Sequence, residues 1–492
     1  MTYVMAIDQG TSSSRALVFD ARGTQRGGAQ LEFATTYPHD GWVEQDPEEL
    51  WRTTLAAARD ALANARVEAR SLAAIGITNQ RETTIVWDAA TGHAVYPAIV
   101  WQDRRTAERC ARIRADGMEA KIAASTGLVV DPYFSSTKLE WLLREVPGLA
   151  GRAQRGELRF GTVDSWLVWR LTRGAVHATD ATNASRTQLY DIGKHEWDPE
   201  LLHYFGVPRS LFPEVKSSID RYGIAAAEWL GASIPICGVA GDQQAALIGQ
   251  GCLSPGMTKS TYGTGCFVVA NTGAVRVVSR EGLLTTIAYS VGGRATYAVE
   301  GSIFSAGVAV KWLRDKVGLV ARAADTEAAA RRCGGDTNGA YLVPAFTGLG
   351  APHWRADARG LMCGLTLDTS SDQIVTATLK SVGYQTADLL SALARDGARV
   401  TRLRVDGGMV ANDWLCQFIA DVSGVPVERP ANTETTALGA ALLAMVGVGA
   451  VSTLEHAAED WRLERRFVPA MDATTREREL AGWQRAIARA VL

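Results

Sequence analysis

Two short polar turns and a few isolated charged side chains carry the residue types that could do chemistry. The first turn lies in MAIDQGTSSSRALVFD, residues 5–20. Asp8 ends an apolar stretch, Gly10 and Thr11, Ser12 and Ser13 turn the chain, and Arg15 opens a second apolar stretch. Glycine lets a backbone turn tightly and approach a ligand. Successive N–H groups can then converge on an anion, hydroxyls add donors, and Arg15 adds a planar cationic fork. Asp8 would repel a phosphate unless a divalent cation stood between them, and Mg²⁺ suits one carboxylate with phosphates and water. An ordinary β-turn of small polar residues fits the same string.

The second turn lies in MTKSTYGTGCFVVAN, residues 257–271, again Gly-Thr-Gly between β-rich arms. A third element, LRVDGGMVANDWLCQFIADVSG at 403–424, reads as a strand, an Asp-Gly-Gly turn and a helix. Asn412 is placed to cap that helix, and Trp414, Leu415, Phe418, Ile419 and Val422 form its apolar stripe. Such a turn lets backbone approach a flat group such as adenine or its ribose; it also serves as a plain tight turn.

Asp242 follows the apolar strand SIPICGVAG and opens a helix. Aspartate is a favoured helix cap. A capping carboxylate at a strand end can also face a cleft, where phosphoryl transfer to a hydroxyl needs a carboxylate to orient the nucleophile. Arg81 and Glu82 follow another strand, and read either as a surface ion pair or as partners for a polyol. Trp101, Tyr133 and Phe267 sit beside polar groups, as core packing or as walls for a C–H face.

The elements that must position these groups alternate between strands and helices, which gives an α/β class. Residues 73–78 and 83–87 read as strands. Residues 46–65 read as a helix, with Asp46 as cap, Pro47 in the first turn and Glu49 completing a capping box. The two polar hairpins, about half the chain apart, point to two related halves, 1–251 and 252–492. The stretch from about Glu455 onward reads as a packed terminal helix.

Composition narrows the classes. The chain has 492 residues, 47% hydrophobic and 21% charged, with a net charge of -2. No strong field steers it towards nucleic acid. The seven cysteines form no C-x-x-C pair, and Cys237, Cys266 and Cys363 lie in apolar runs. They read as reduced, buried residues of a cytoplasmic protein. Residues 435–451 are uncharged but read as a buried helix, so no integral membrane segment is expected. The helix-terminus phosphate loop G-x-x-x-x-G-K-[ST] is absent, as are H-E-x-x-H and G-x-S-x-G.

The order of hairpin, second hairpin and Asp-Gly-Gly resembles the superfamily of actin, the 70-kDa heat-shock chaperones and the hexokinases. That resemblance implies two ribonuclease-H-like, actin-like ATPase domains flanking a deep cleft. A longer series is more specific: AIDQGTSSSRA, GITNQRETTIVW, AIVWQDRRTAE, TGLVVDPYFSSTK, GTVDSWLVW, TDATNASRT, GVAGDQQAAL, STYGTGCF, LLTTIAYS and VPAFTGLGAPHW. It resembles the FGGY carbohydrate kinases, and within them the members that act on glycerol. The resemblance implies Mg-ATP and glycerol as substrates, with sn-glycerol 3-phosphate as product. It implies glycerol contacts from Arg81, Glu82, Trp101, Tyr133, Asp242, Gln243 and Phe267, with Asp242 as base. Nucleotide contacts would come from Thr11, Ser12, Ser13, Arg15, Thr264, Gly307, Gly408 and Asn412. Asp8, with Asp242, would hold Mg²⁺. Lys311 stands where relatives often have Gln near the nucleotide. The stretch RYGIAAAEWLGAS lacks the Gly-rich basic loop that binds fructose 1,6-bisphosphate in some relatives, and no histidine lies between His203 and His353 to serve as an activating phosphorylation site. A homodimer or homotetramer is the family's usual state. The rival expectations are a pentulose kinase of the same family, an actin-like ATPase switch, and a catalytically dead sensor, against which the intact Asp8, Arg15 and Asp242 speak.

Overall fold

The computed structural model describes residues 2–355 and 357–492. Two sheets dominate. The first has six strands: β1 (Tyr3–Gln9), β2 (Ser13–Asp20), β3 (Gln25–Glu32), β4 (Leu72–Asn79), β5 (Ile224–Ala225) and β6 (Ile234–Gly241), in the order β5-β6-β4-β1-β2-β3. The second has seven: β7 (Thr258–Tyr262), β8 (Cys266–Gly273), β9 (Leu284–Val291), β10 (Arg294–Ile303), β11 (Leu403–Asp406), β12 (Val427–Pro430) and β13 (Leu463–Phe467), in the order β9-β10-β8-β7-β11-β12-β13.

The two sheets repeat one plan. β1 pairs antiparallel with β2 and parallel with β4, and β4 runs parallel with β6. In the same way β7 pairs antiparallel with β8 and parallel with β11, and β11 runs parallel with β12. Parallel neighbours need crossovers, which brings the C-terminal ends of β1, β4 and β6 to one edge. That is the edge where open α/β sheets collect their functional groups.

Helices α1 (Pro47–Ala65), α2 (Asp242–Gly249), α3 (Gly307–Trp312), α4 (Ser371–Arg395), α5 (Asp413–Ser423), α6 (Thr435–Gly447) and α7 (Ala473–Ala490) pack on the sheets. The uncharged run at 435–451 forms α6, whose buried residues include Ala437, Ala440, Leu443 and Met445. Glycines let α6 approach α2 backbone to backbone. A Cβ added at Gly249 would stand 1.9 Å from the Thr435 carbonyl oxygen, and one at Gly439 1.8 Å from that of Ala245. The second half of the chain thereby packs α6 into the core of the first sheet, beside Val4, Ala6 and Ala74. No described helix is long and apolar enough to cross a membrane.

Three local expectations need correction. Asp46 caps α1 by accepting from the Glu48 N–H at 2.9 Å, but Glu49 closes no box; its carboxylate accepts from the Ala34 N–H at 3.4 Å instead. The C-terminal stretch is not one helix: it supplies the edge strand β13 before α7. LERRF in β13 pairs with β12 with only Phe467 turned inward, and that pairing overrides the high charge that reads as helix. All seven cysteines are unpaired, yet Cys333 and Cys363 are only half-buried.

Candidate active site

The site begins where β1, β4 and β6 end. In the register, Asp8 stands opposite Thr78, and Thr78 stands opposite Ala240 on its other side. Asp8 and Asp242 therefore leave the same edge of the sheet from strands on either side of β4, Asp242 two residues beyond the position level with Asp8. Asp8 is 3% exposed and its carboxyl pKa is raised by burial, which Arg15 opposes. Arg15 pairs with Asp8 Oδ2 and, at 2.7 Å, with Glu434. The fork read as a phosphate donor is thus held between two carboxylates. Among the described residues Asp8 Oδ1 accepts no hydrogen bond.

Asp242 is the first residue of α2, and Gly241 takes the cap position expected of it. Its Oδ1 accepts from the Gln243 N–H at 2.7 Å and lies 3.3 Å from Arg81 Nε. Its side chain keeps 28% of its surface open. Loss of water around it raises its pKa, Arg81 and Lys259 pull it back, and the charge of Asp8 adds to the rise. The strand register puts both carboxylates at the same end of the first sheet.

Arg81 and Glu82 are not a surface pair; their side chains are 2% and 1% exposed. Arg81 Nη1 donates to Glu300 Oε2 at 2.6 Å and to Gln244 Oε1 at 3.1 Å, and Nη2 donates to Glu300 Oε1 at 2.8 Å. Arg186 Nε donates to Glu82 at 2.6 Å and Arg186 Nη2 to Glu300 at 3.3 Å. The fork expected to grip two hydroxyls grips Glu300, leaving the Nε–H and one Nη2–H outside that pair. Burial opposes the charge on Glu300, but Arg186 and Arg81 hold its pKa down at about 2. Glu82 goes the other way, because burial outweighs the same two arginines. Glu82 also has φ 60°, a left-handed backbone that non-glycine residues rarely adopt. Such strain persists where surroundings over-determine it, and the ion pair with Arg186 does so here.

The aromatic residues converge. The Trp101 ring stands edge-on to Tyr133 at 5.6 Å and to Phe267 at 6.3 Å. Trp101 Nε1 donates to Thr11 Oγ1 at 2.9 Å, tying this wall to the first hairpin. Phe267 lies on β8, so both halves of the chain build the wall.

A second region is a cleft of about 450 Å³ lined by Gly263, Gly307, Lys311, Thr326, Gly408 and Asn412, among others. Four residues expected at the nucleotide meet there: Gly307, Lys311, Gly408 and Asn412. Asn412 caps α5 by accepting from the Leu415 N–H at 2.9 Å. The backbone before and at the start of α3 is stitched to the second hairpin: the Ala306 N–H donates to Thr264 O and the Gly307 N–H to Gly263 O, both at 3.0 Å. Ser12 and Thr264 are exposed, Thr11 is half-buried, and Ser13 is buried with its hydroxyl accepting from Gln30 at 3.0 Å.

Sequence reasoning missed Lys259, Arg186 and Glu300. Glu300 is a lone carboxylate in the apolar strand RATYAVEGSI, and is fully buried. A solitary acid in such a strand needs a cationic partner, and that was the available signal. Arg186 stood inside TDATNASRT, and Lys259 at the root of the second hairpin.

Comparison with known proteins bears on this arrangement. Models of the FGGY family of carbohydrate kinases match residues 3–249 with the N-terminal domain and 258–448 with the C-terminal domain. The chain is 58% identical to glycerol kinase 1 of Pseudomonas aeruginosa over 487 residues, covering 99% of this chain and 98% of that protein. It is 58% identical to the glycerol kinase of Alcanivorax borkumensis over 490 residues, covering 99% and 98%. Among solved structures, Plasmodium falciparum glycerol kinase with ADP matches with a TM-score of 0.93 at 35% identity, covering 100% of this chain and 99% of that one. The xylulose kinase of Rhodospirillum rubrum shares the fold, with a TM-score of 0.85 at 23% identity over 99% and 98% of the two chains.

Proposed function

The chain belongs to the FGGY family of carbohydrate kinases, and from that premise we propose that it transfers the γ-phosphoryl group of ATP to a terminal hydroxyl of glycerol, giving sn-glycerol 3-phosphate and ADP. The observation that carries the reading is the position of Asp8 and Asp242 at one sheet edge, with Arg81 against Asp242 and an aromatic wall drawn from both halves.

Asp242 acts as base. It orients the attacking hydroxyl and takes its proton late, a contribution of roughly 10²–10⁴-fold. Glycerol lies against Trp101, Tyr133 and Phe267 with its C–H face, and meets Arg81, Glu82 and Gln243 with its hydroxyls. ATP lies in the 450 Å³ cleft, its base and ribose near Gly408 and Asn412. Its phosphates reach the two hairpins, where Thr11, Ser12, Ser13 and Thr264 offer donors and Gly307 allows close approach. Lys311, exposed at the cleft rim, is placed to meet the nucleotide as a cation. Arg15 exchanges Glu434 for phosphate oxygen. Charge spreading over the transferring group is then met by fixed donors in a water-poor cleft.

The donor set fits Mg²⁺. Asp8 and Asp242 offer hard oxygens from one crevice, and phosphates and water complete such a shell. Among the described residues no group of three or more metal-binding side chains exists. Mg²⁺, when bound there, neutralises phosphate charge.

We also read the enzyme as cytoplasmic, supported by seven unpaired cysteines, and as a homodimer or homotetramer. Light scattering on the purified protein reads the oligomer directly. The assignment is tested by assaying a panel of polyols and ketoses with MgATP: glycerol as the fastest acceptor supports it, and a pentulose outrunning glycerol overturns it.

A further inference from the structure

We infer that Lys259 is a positioning residue: it fixes which end of the Gln243 amide faces the acceptor hydroxyl, and so directs that hydroxyl's proton to Asp242. The inference rests on the reading of Asp242 as the base.

The two ends of a glutamine amide are nearly the same size, and neighbours decide which way it points. Lys259 settles the matter here. An ammonium has three donors and no acceptor. Lys259 Nζ donates to Gln243 Oε1, and to Thr261 Oγ1 at 2.9 Å. Lys259 is fully buried at the root of the second hairpin, and Gln243 is 7% exposed. The carbonyl end of Gln243 is therefore consumed, and its Nε2 is turned away from Lys259. Among the described residues that Nε2 donates no hydrogen bond, so two N–H donors remain for a ligand.

Asp242 completes the pair. Its Oδ1 is engaged by the Gln243 N–H and lies beside Arg81 Nε. Its Oδ2 accepts no hydrogen bond among the described residues. Adjacent residues thus present one kind of group each: Gln243 a donor, Asp242 an acceptor. A hydroxyl between them accepts from Gln243 Nε2 and gives its proton to Asp242 Oδ2, with its other lone pair free to attack. With the amide reversed, Gln243 Oε1 would compete for that proton and the donor would be lost. In the step itself the hydroxyl O–H bond breaks and its proton passes to Asp242. The O–P bond forms as the bond from γ-phosphorus to the bridging oxygen breaks, and that electron pair leaves on ADP.

Four variants test this beside wild type: Lys259→Met, Gln243→Glu, the double variant, and Lys259→Arg. Lys259→Met removes the donor but keeps an unbranched stem. Gln243→Glu keeps an acceptor for Lys259 and deletes the Nε2 donor. Each is assayed for glycerol phosphorylation with MgATP and for its melting temperature. Each of the first two should lower kcat by ~10²-fold, the effect of losing one aligned donor, with the KM for ATP within about twofold. The double should fall no further than the worse single, because both changes destroy one arrangement. Lys259→Arg should stay within about tenfold of wild-type kcat, since it still donates. Near-wild-type kcat in either of the first two, or a double loss equal to their product, overturns the inference. If Lys259→Met does not fold, Gln243→Glu decides alone by the same criterion. Wild-type protein that fails to phosphorylate glycerol would overturn the functional reading instead, so the two failures are distinct.

Discussion

Arg81 and Glu300, 219 residues apart in the chain, meet in a two-pronged ion pair at 2.6 and 2.8 Å, with side chains 2% and 0% exposed. Arg81 follows β4 of the first sheet and Glu300 lies on β10 of the second. Arg81, whose Nε lies 3.3 Å from Asp242 Oδ1, is therefore held in place by a carboxylate from the other half. Arg186 joins them and pins Glu82. The proposed polyol site draws residues from both halves of the chain, Arg81 and Trp101 from the first and Glu300 and Phe267 from the second.

Removing that carboxylate's charge should be felt in both stability and binding. Glu300→Gln leaves Arg81 and Arg186 buried with less counter-charge, and breaking a buried pair costs about 3–5 kcal/mol. Urea unfolding at neutral pH should show a loss of that order, and the KM for glycerol should rise. The pH dependence has a definite sign. Glu300 titrates at about 2 in the folded protein against an ordinary 4.5. Its stabilisation is present above pH 4.5 and is lost as pH falls towards 2. The stability gap between wild type and Glu300→Gln should narrow across that window; a constant gap would show that the pair carries no such linkage.

Asp242→Asn keeps the shape of the side chain and removes the carboxylate proposed as base. Turnover should fall at least about a hundredfold, while the melting temperature holds. Near-normal turnover would remove Asp242 from that role.

The nucleotide side can be probed at Gly307. A Cβ there would stand 2.6 Å from the Gly263 carbonyl oxygen, so Gly307→Ala must push the tip of the second hairpin away from α3. The KM for ATP should rise by about tenfold, roughly 1.4 kcal/mol, with the KM for glycerol little changed. Equal rises in both would mean that the hairpin serves the polyol as much as the nucleotide.

Chelation tests the carboxylate pair. Excess EDTA should abolish turnover, and added Mg²⁺ should restore it. Asp8→Asn should raise the Mg²⁺ concentration needed for half-maximal rate, because one hard anionic oxygen is gone. An unchanged requirement would leave Asp8 serving only to hold Arg15.

Much of the fold was legible because its signals are local. The two Gly-Thr turns between apolar arms, the cap at Asp46 and the Asp-Gly-Gly turn before Asn412 each declare themselves within a few residues. So did the candidate site, where a strand end meets an acid, at Asp8 and Asp242. What stayed hidden depends on partners far away. Arg81 and Glu82 look like a surface pair until Glu300, from a strand of the second sheet, and Arg186, from a turn more than a hundred residues on, arrive and bury them. Lys259 looks like an ordinary hairpin lysine until α2 brings Gln243 over it. Arg15 looks free for phosphate, and only the tertiary fold supplies Glu434. The edge strand β13 was hidden for a different reason: its charges face solvent on a sheet rim, where the pattern of a strand and that of a polar helix differ little.

On the proposed function, Asp242 and the first hairpin border one crevice in which ATP meets a polyol. The most direct measurement is ADP release from MgATP with and without glycerol, with the organic product identified. Release that depends on glycerol, matched mole for mole by sn-glycerol 3-phosphate, is the predicted result. Hydrolysis that proceeds at the same rate without glycerol, or a phosphorylated product other than sn-glycerol 3-phosphate, would contradict it.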